Sequence, residues 1–295
     1  MSISGRRTGI LLLDKPAGLS SNAALQKTRR MLGADKAGHV GSLDPLATGM
    51  LPICLGEATK IAADILSGRK LYRFTVVLGT RTATGDVEGA VVETKVVPAF
   101  DAPVLASVLG RFGGKQNQIP PMYSAIKRQG QPLYKLARAG VEVERAPREI
   151  EIFRLAVLAV SGTQLELEVL CSKGTYVRTL AEDIAKALGT CGHVGMLRRV
   201  YVEPFESFPM ETLDSIAEGL SHGTQPAILP ADAPLQHLSA VHLGAAQTAH
   251  VLHGQSVKIE CAAAGRVRLY DAAGAFIGIG EAAQGTVRPR RLFVQ

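Results

Sequence analysis

The sequence predicts an α+β fold, a mixed and largely antiparallel sheet flanked by helices. Segments with the two-residue period of a strand alternate with segments whose apolar positions lie three and four residues apart. Segments 149–160 and 164–170 indicate two paired strands joined by a short turn. A connector with three prolines at 225–234 precedes a final region of short strands. We therefore predict a first domain over residues 1–234 and a small β domain over 238–295.

Composition and charge narrow the class of protein. Hydrophobic residues make up 46% of the chain and charged residues 20%, as in a folded globular protein. Apolar runs such as 156–160 are too short to span a membrane, and residues 1–7 lack a signal-peptide core, so we expect a cytoplasmic protein with no membrane partner. The net charge of +7 favours a polyanionic partner.

Cysteine and histidine spacing gives no reason to expect a metal. The four cysteines have no Cys-x-x-Cys spacing, so the sequence encodes neither a local zinc site nor a disulfide framework; they are Cys54, Cys171, Cys191 and Cys261. His39 has no cysteine or carboxylate at metal-ligand spacing. We expect buried or inert thiols and no metal.

The elements of the first domain follow from their periods. We predict strands at 9–13, 51–55, 70–78 and 193–202, and helices from Ser20 or Ser21 to about 32, and at 58–68, 101–112, 171–189 and 210–220. Tyr72 and Phe74 share one strand face, and Val104 and Leu105 are expected to point inward from their helix. In the strand at 164–170, Glu168 should lie on a solvated face.

Residues 113–148 form a basic segment with interleaved tyrosines. Basic side chains beside aromatic rings contact phosphates and stack on unpaired bases, so we predict an RNA-binding insertion that includes Lys127 and Arg128. A solvated charged surface is the alternative. We also assign Lys15 to substrate binding, although its segment, 15–21, has the pattern of a turn followed by a helix N-cap.

The stretch at 38–49, with sequence GHVGSLDPLATG, indicates a constrained loop that presents one carboxylate, Asp44. Its glycines permit backbone angles or close approaches that a Cβ forbids, and Pro45 keeps Asp44 out of the helical region. Catalytic groups concentrate on loops carried by a rigid scaffold. A structural Asp-Pro turn with a capping aspartate is the alternative.

This loop resembles the catalytic loop of the TruB family of tRNA pseudouridine synthases, whose pattern is Gly-His, Gly, Leu-Asp-Pro, Ala and Thr-Gly. The Lys-Pro-x-Gly-x-Ser-Ser pattern at 15–21, the Tyr-Arg-Phe strand from Tyr72, the run 119–127 and the helix entry at 171–178 also resemble that family, in the same order. The resemblance extends over about 9–205. The C-terminal region matches less closely and is similar to the PUA modules that bind RNA.

The resemblance implies an enzyme that converts the uridine at position 55, in the T loop of tRNA, to pseudouridine without a cofactor. It implies that Tyr72 stacks on the target uracil and that Leu197 lines the pocket. It also implies that His39 fills the gap left by the flipped base. Arg178 would be the cationic partner of Asp44.

The reaction breaks the bond between uracil N1 and ribose C1′ and joins C5 to C1′. Asp44 can attack the sugar or C6 of the ring, and the sequence leaves both routes open. Because only an ionised aspartate is a nucleophile, we expect Arg178 to lower the pKa of Asp44. The C5 proton must then leave, and we assign its acceptance to Tyr176, with water or a purely packing role for Tyr176 as the alternatives.

The expected partner is tRNA, gripped at the elbow formed by its T arm. Guide-RNA-dependent relatives share the aspartate loop, but the tyrosine-rich basic insertion favours an enzyme that recognises tRNA by itself, without a guide RNA. We expect a monomer, although this expectation does not follow from the insertion. An RNA chaperone that remodels tRNA is a second function compatible with the sequence. A hydrolase such as a nucleosidase is a third, and nothing marks the second acid that it needs.

Overall fold

The computed structural model describes residues 7–128, 130–260 and 262–293 and confirms the α+β class. Within these ranges no helix is long and apolar enough to cross a membrane. Short 3-10 turns cover Gly56–Ile61 and Ala233–Leu235. The helices are α1 (Ser21–Met31), α2 (Ala62–Ser67), α3 (Ala102–Gly110), α4 (Leu133–Arg138), α5 (Val177–Ala187), α6 (Leu213–Ser221) and α7 (Ala245–Leu252).

The strands form two main sheets and two small hairpins. In chain order they are β1 (Gly9–Lys15), β2 (Ala37–His39), β3 (Thr48–Leu55), β4 (Lys70–Leu78), β5 (Thr80–Thr82), β6 (Val91–Thr94), β7 (Gly114–Gln118), β8 (Lys127–Arg128), β9 (Gln131–Pro132), β10 (Arg148–Ser161), β11 (Gln164–Cys171), β12 (Gly192–Val202), β13 (Ser239–His242), β14 (Val257–Lys258), β15 (Gly265–Tyr270), β16 (Phe276–Ala283) and β17 (Thr286–Leu292).

The first sheet is mixed and largely antiparallel, as predicted. Its strand order is β1-β3-β12-β4-β11-β10-β7, with β2 paired to β3, and only the β12–β3 pair is parallel. Strand β4 lies near the centre and buries Tyr72, Phe74, Val76 and Leu78 on one face. Helix α5 packs its apolar stripe on this sheet, because Val177 and its neighbours at three- and four-residue spacing are all buried. The centre of the sheet therefore has a rigid apolar floor.

Several details differ from the sequence-based expectations. The helix predicted at 171–189 begins only at Val177, and Cys171 ends β11. The helix predicted at 58–68 divides into the 3-10 turn at Gly56–Ile61 and α2. Val104 is exposed rather than inward. Glu168 is buried on the outer sheet face because Arg73 and Arg154, from the two neighbouring strands, donate to its two carboxylate oxygens at 2.9 and 2.7 Å.

The second sheet has the strand order β13-β15-β16-β17-β14 and packs against the first unit. Ile279 and Phe293 share an apolar cluster with Ile61 and Ile65. Lys60 Nζ also donates to the Leu292 carbonyl at 2.6 Å. The two units therefore meet along the 3-10 turn and α2. Cys54, Cys171 and Cys191 are buried free thiols, and Cys261 lies outside the described residues.

Candidate active site

The Asp44 loop is held from behind by side chains bonded to its backbone. Ser21 Oγ accepts from the Leu43 N–H at 2.7 Å and donates to the Leu43 carbonyl at 2.9 Å. Arg199, almost completely buried, donates to the Gly41 carbonyl at 2.8 Å and to the Met50 carbonyl at 2.7 Å. Gly41 has a φ of 70°, which favours glycine. The loop geometry is thus fixed at both ends.

Lys15 belongs to this support and not to the substrate-binding surface predicted for it. It is completely buried, and its Nζ donates to the carbonyls of Leu19 at 2.6 Å and Pro45 at 3.2 Å. Burial lowers the pKa of Lys15 to about 8, with the negative charge of Asp44 opposing the shift. The turn-and-cap interpretation of 15–21 fits better, because Ser20 caps α1 through the Ala23 N–H.

Arg178 gathers three segments of the chain around one guanidinium. Its Nε lies 2.8 Å from Asp44 Oδ2, and its Nη2 donates to Asp44 Oδ1 at 3.2 Å. The guanidinium also donates to the carbonyls of Tyr123 at 2.6 Å and Thr84 at 2.7 Å. An arginine in the first turn of α5 is disfavoured by the helix dipole, and these contacts account for its placement.

Asp86 is a second buried carboxylate at this guanidinium. Its Oδ2 lies 3.8 Å from Arg178 Nε, and its Oδ1 accepts from Thr84 Oγ1 at 2.6 Å and from the Glu88 N–H at 3.1 Å. Sequence reasoning missed it because one acid in a polar, glycine-bearing loop carries no sign of burial. The site therefore contains two carboxylates around one arginine.

Burial raises the pKa of Asp44 above its ordinary value, Arg178 opposes this shift, and Asp86 adds to it. The carboxylate faces the cavity and keeps 36% of its side chain exposed, yet the surrounding protein withdraws enough water for burial to dominate. We expected Arg178 to lower the Asp44 pKa, and its contribution has that direction. The net shift of the Asp44 pKa is nevertheless upward, because burial outweighs Arg178. Without Arg178 the carboxylate would be harder still to ionise.

A cavity of about 1260 Å³ opens above this ion pair. The predicted residues that line it are His39, Asp44, Tyr72, Tyr176, Arg178 and Leu197. Its rim includes Tyr134 and Arg138 of the basic insertion. The insertion therefore contributes directly to the wall of the cavity.

Lys127 and Arg128 lie outside the cavity wall. They form the short strand β8, paired with β9, and both are exposed. Arg128 donates to the Glu144 carbonyl at 3.1 Å, within the insertion. Both cations are thus placed next to the cavity-lining residue Ile126, where they are open to a large ligand.

Comparison with known proteins shows the family to which this chain belongs. The model of the TruB family pseudouridylate synthase N-terminal domain matches residues 29–177, and two TruB C-terminal domain models match 178–236 and 239–293. A protein named tRNA pseudouridine synthase B from Hydrogenovibrio crunogenus is 48% identical over 97% of this chain and 93% of its own length. The chain belongs to the TruB family. One of the same name from Stutzerimonas stutzeri is 49% identical, over 97% of this chain and 95% of its own.

Solved structures share the TruB-family fold seen here. The one described as "Crystal Structure of a Cbf5-Nop10-Gar1 Complex" superposes with a TM-score of 0.73, at 24% identity, over 97% of this chain and 85% of that one. The one described as "Structure of H/ACA RNP bound to a substrate RNA containing 2'-deoxyuridine" gives 0.72 at 22%, over 98% and 86%. At this identity the likeness concerns the fold alone.

Two polar rings of this TruB-family cavity are neutral. Burial lowers the pKa of His39, with Arg199 adding to the effect, so its imidazole carries no charge at neutral pH. Burial also raises the pKa of Tyr72, which therefore keeps its phenol proton. Five buried side-chain polar atoms of the described residues have no hydrogen-bond partner, and two of them, His39 Nδ1 and Ser124 Oγ, belong to residues that line the cavity. A polar ligand could satisfy both atoms.

The pKa of Tyr176 is shifted upward, which does not suit the role of proton acceptor predicted for this residue. Burial raises its pKa, and the nearby Ser124 hydroxyl and the cations of Arg148 and Arg178 only partly oppose this. A phenol with a raised pKa is a poor base at neutral pH. Tyr176 thus lines the cavity as a neutral phenol.

Replacing Asp86 should change how Asp44 titrates. In Asp86→Asn the amide oxygen can still accept from Thr84 and Glu88, but the negative charge that raises the Asp44 pKa is gone. The Asp44 pKa should fall, so the acid limb of the pH–rate profile should move to lower pH. Asp214→Asn, at an exposed position on α6, is the control. An unmoved or upward-shifted limb in Asp86→Asn would contradict this electrostatic account.

Proposed function

We propose that this chain isomerises a uridine in the T loop of tRNA to pseudouridine, with Asp44 as the nucleophile. The contact between Asp44 and Arg178 carries the proposal, because it places one oriented carboxylate in a cavity with an aromatic wall. Arg178 contacts the two oxygens of Asp44 with its Nε and Nη2. These two hydrogen bonds orient the carboxylate and favour its charged form. Relatives named tRNA pseudouridine synthase B support tRNA as the substrate.

The proposed reaction is an isomerisation that gains and loses no atoms and requires no external reductant or energy source, and we propose that it uses no cofactor. Asp44 attacks either C1′ of the ribose or C6 of the uracil, and the bond from N1 to C1′ breaks. The ring turns, C5 joins C1′, the carboxylate leaves, and the proton on C5 moves to N1 through solvent. Since the Tyr176 phenol is neutral, a water molecule is the better acceptor for the C5 proton, and Tyr176 would orient that water.

The cavity offers a surface for a base turned out of its RNA loop. Tyr72 presents an aromatic ring on the rigid strand β4, and Leu197 packs beside it from β12. His39, on the rim of the Asp44 loop, is proposed to fill the space that the base leaves. Its imidazole is an aromatic ring that can stack on the neighbouring bases. The two unpaired buried polar atoms, on His39 and Ser124, would then bond the RNA.

RNA binding is assigned to two regions outside the cavity. The insertion at about 113–148 would grip the T arm at the elbow of tRNA, and residues 238–295 would act as a PUA-like RNA-binding domain beside a catalytic domain at 1–234. We propose that the chain works as a monomer in the cytoplasm, without a guide RNA. Remodelling of tRNA during binding is a second activity, and the exposed cations of β8 favour it.

The Asp44→Asn variant separates chemistry from binding. Pseudouridine in the T loop of tRNA should disappear, because an amide cannot replace the carboxylate as nucleophile, while the affinity for tRNA stays nearly unchanged. The measurements are chemical sequencing of the treated tRNA and a binding titration, with Asp214→Asn as the matched control. Equal loss of both activities would count against the nucleophile role. Accelerated tRNA folding by the inactive variant would establish the second activity, and release of free uracil would indicate a hydrolase.

Removing the two positive charges of β8 tests whether the insertion contacts tRNA. Lys127→Ala with Arg128→Ala should weaken tRNA binding and flatten the dependence of log affinity on log salt by about two units, one for each lost phosphate contact. The measurement is a binding titration at several salt concentrations, with Arg111→Ala, an exposed arginine on another surface, as reference. A salt slope equal to that of the unmodified protein would remove β8 from the interface.

A further inference from the structure

A second concentration of arginines lies where the C-terminal sheet meets α2. A cleft of about 240 Å³ is bordered by three arginines, one aspartate, one alanine and one isoleucine; they are Ala63, Asp64, Arg266, Ile279, Arg290 and Arg291. This cleft is separate from the cavity above Asp44 and shares no lining residue with it.

A β-bulge explains why two of these arginines, which are consecutive in the chain, both border the cleft. Neighbouring residues of a strand normally point to opposite faces. In the β16–β17 pair, Ile279 lies opposite Arg291 and Gly280 lies opposite Pro289, so Arg290 is an extra residue with no partner across the ladder. Such a bulge re-aims the side chains next to it. As a result, Arg290 and Arg291 both border the cleft although they are consecutive.

The three guanidinium groups differ in whether they bond to other groups of the protein. Arg266 lies 2.7 Å from the carboxylate of Asp64, and Arg291 donates to the carbonyl of Lys60. The Arg290 side chain makes no ion pair or hydrogen bond with any residue in the described ranges, and Arg290 is exposed. The cleft therefore keeps a cationic excess, with one guanidinium available to an incoming anion. Arginine's planar fork fits the oxygens of a phosphate.

We propose that this cleft binds a backbone phosphate of the RNA whose target base enters the Asp44 cavity. The inference rests on the proposed function. Helix α2 connects the two places, because Leu66 borders the cavity while Ala63 and Asp64 border the cleft. A six-residue helix is about 9 Å long, so the places where α2 borders the cavity and the cleft are less than 9 Å apart along its axis. An RNA strand that leaves the cavity along α2 would therefore pass the cleft.

The test replaces Arg290 with alanine in the full chain and titrates tRNA binding at several salt concentrations. Affinity should fall several-fold, and the slope of log affinity against log salt should become less steep by about 0.9, the value for one phosphate contact. The rate at saturating tRNA should stay unchanged, because Arg290 does not touch the cavity. Arg290→Lys should keep the salt slope, since the charge remains.

Arg111→Ala is the control, because Arg111 is exposed at the end of α3 and borders neither the cleft nor the cavity. An unchanged slope in Arg290→Ala, or an equal loss in Arg111→Ala, would overturn the proposal. So would a defect that appears only in binding of inorganic phosphate and not of tRNA. Pseudouridine formation by the unmodified protein is measured in parallel, and its absence would instead refute the proposed function.

Discussion

The site depends on one guanidinium that holds distant segments of the chain together. Arg178 reaches Asp44, 134 residues earlier in the sequence, and also binds backbone carbonyls at Thr84 and Tyr123. The aspartate loop, the loop after β5 and the basic insertion therefore share one contact. Any movement of the insertion away from the cavity must break its bond to the group that orients Asp44. Under the proposed function, RNA binding by the insertion and chemistry at Asp44 would be coupled through this residue.

The surroundings of Asp44 act on its pKa in two opposite directions: burial raises the pKa, and the positive charge of Arg178 lowers it. A fully hydrated carboxylate would ionise readily, but its hydration would have to be removed before attack. Burial raises the Asp44 pKa and Arg178 limits the rise, so the carboxylate has less hydration and still a cationic neighbour. Three other side chains fix the position of the carboxylate without taking part in the chemistry. Ser21 and Arg199 form hydrogen bonds with the backbone of the loop, and Lys15 donates a hydrogen bond to the carbonyl of Pro45.

Much of the fold and of the site could be predicted, for identifiable reasons. The two-residue period placed Tyr72 and Phe74 on the buried face of β4, and the pattern around Asp44 was specific enough to find the loop. The supports were not predictable, because Arg199 bonds backbone carbonyls brought close only by the sheet. Burial of Asp86 and the bulge at Arg290 depend on tertiary contacts and strand register, which local sequence patterns do not record.

Arg178 contacts both oxygens of Asp44 through its fork, so it orients the carboxylate in addition to supplying a positive charge. The most direct measurement is the single-turnover rate of pseudouridine formation by Arg178→Lys, compared with its affinity for tRNA. Lysine keeps the charge but cannot hold both carboxylate oxygens together with two carbonyls. We expect the rate to fall roughly 100-fold, about 2.7 kcal/mol of barrier, with tRNA affinity retained. A rate near that of the unmodified protein would contradict the account.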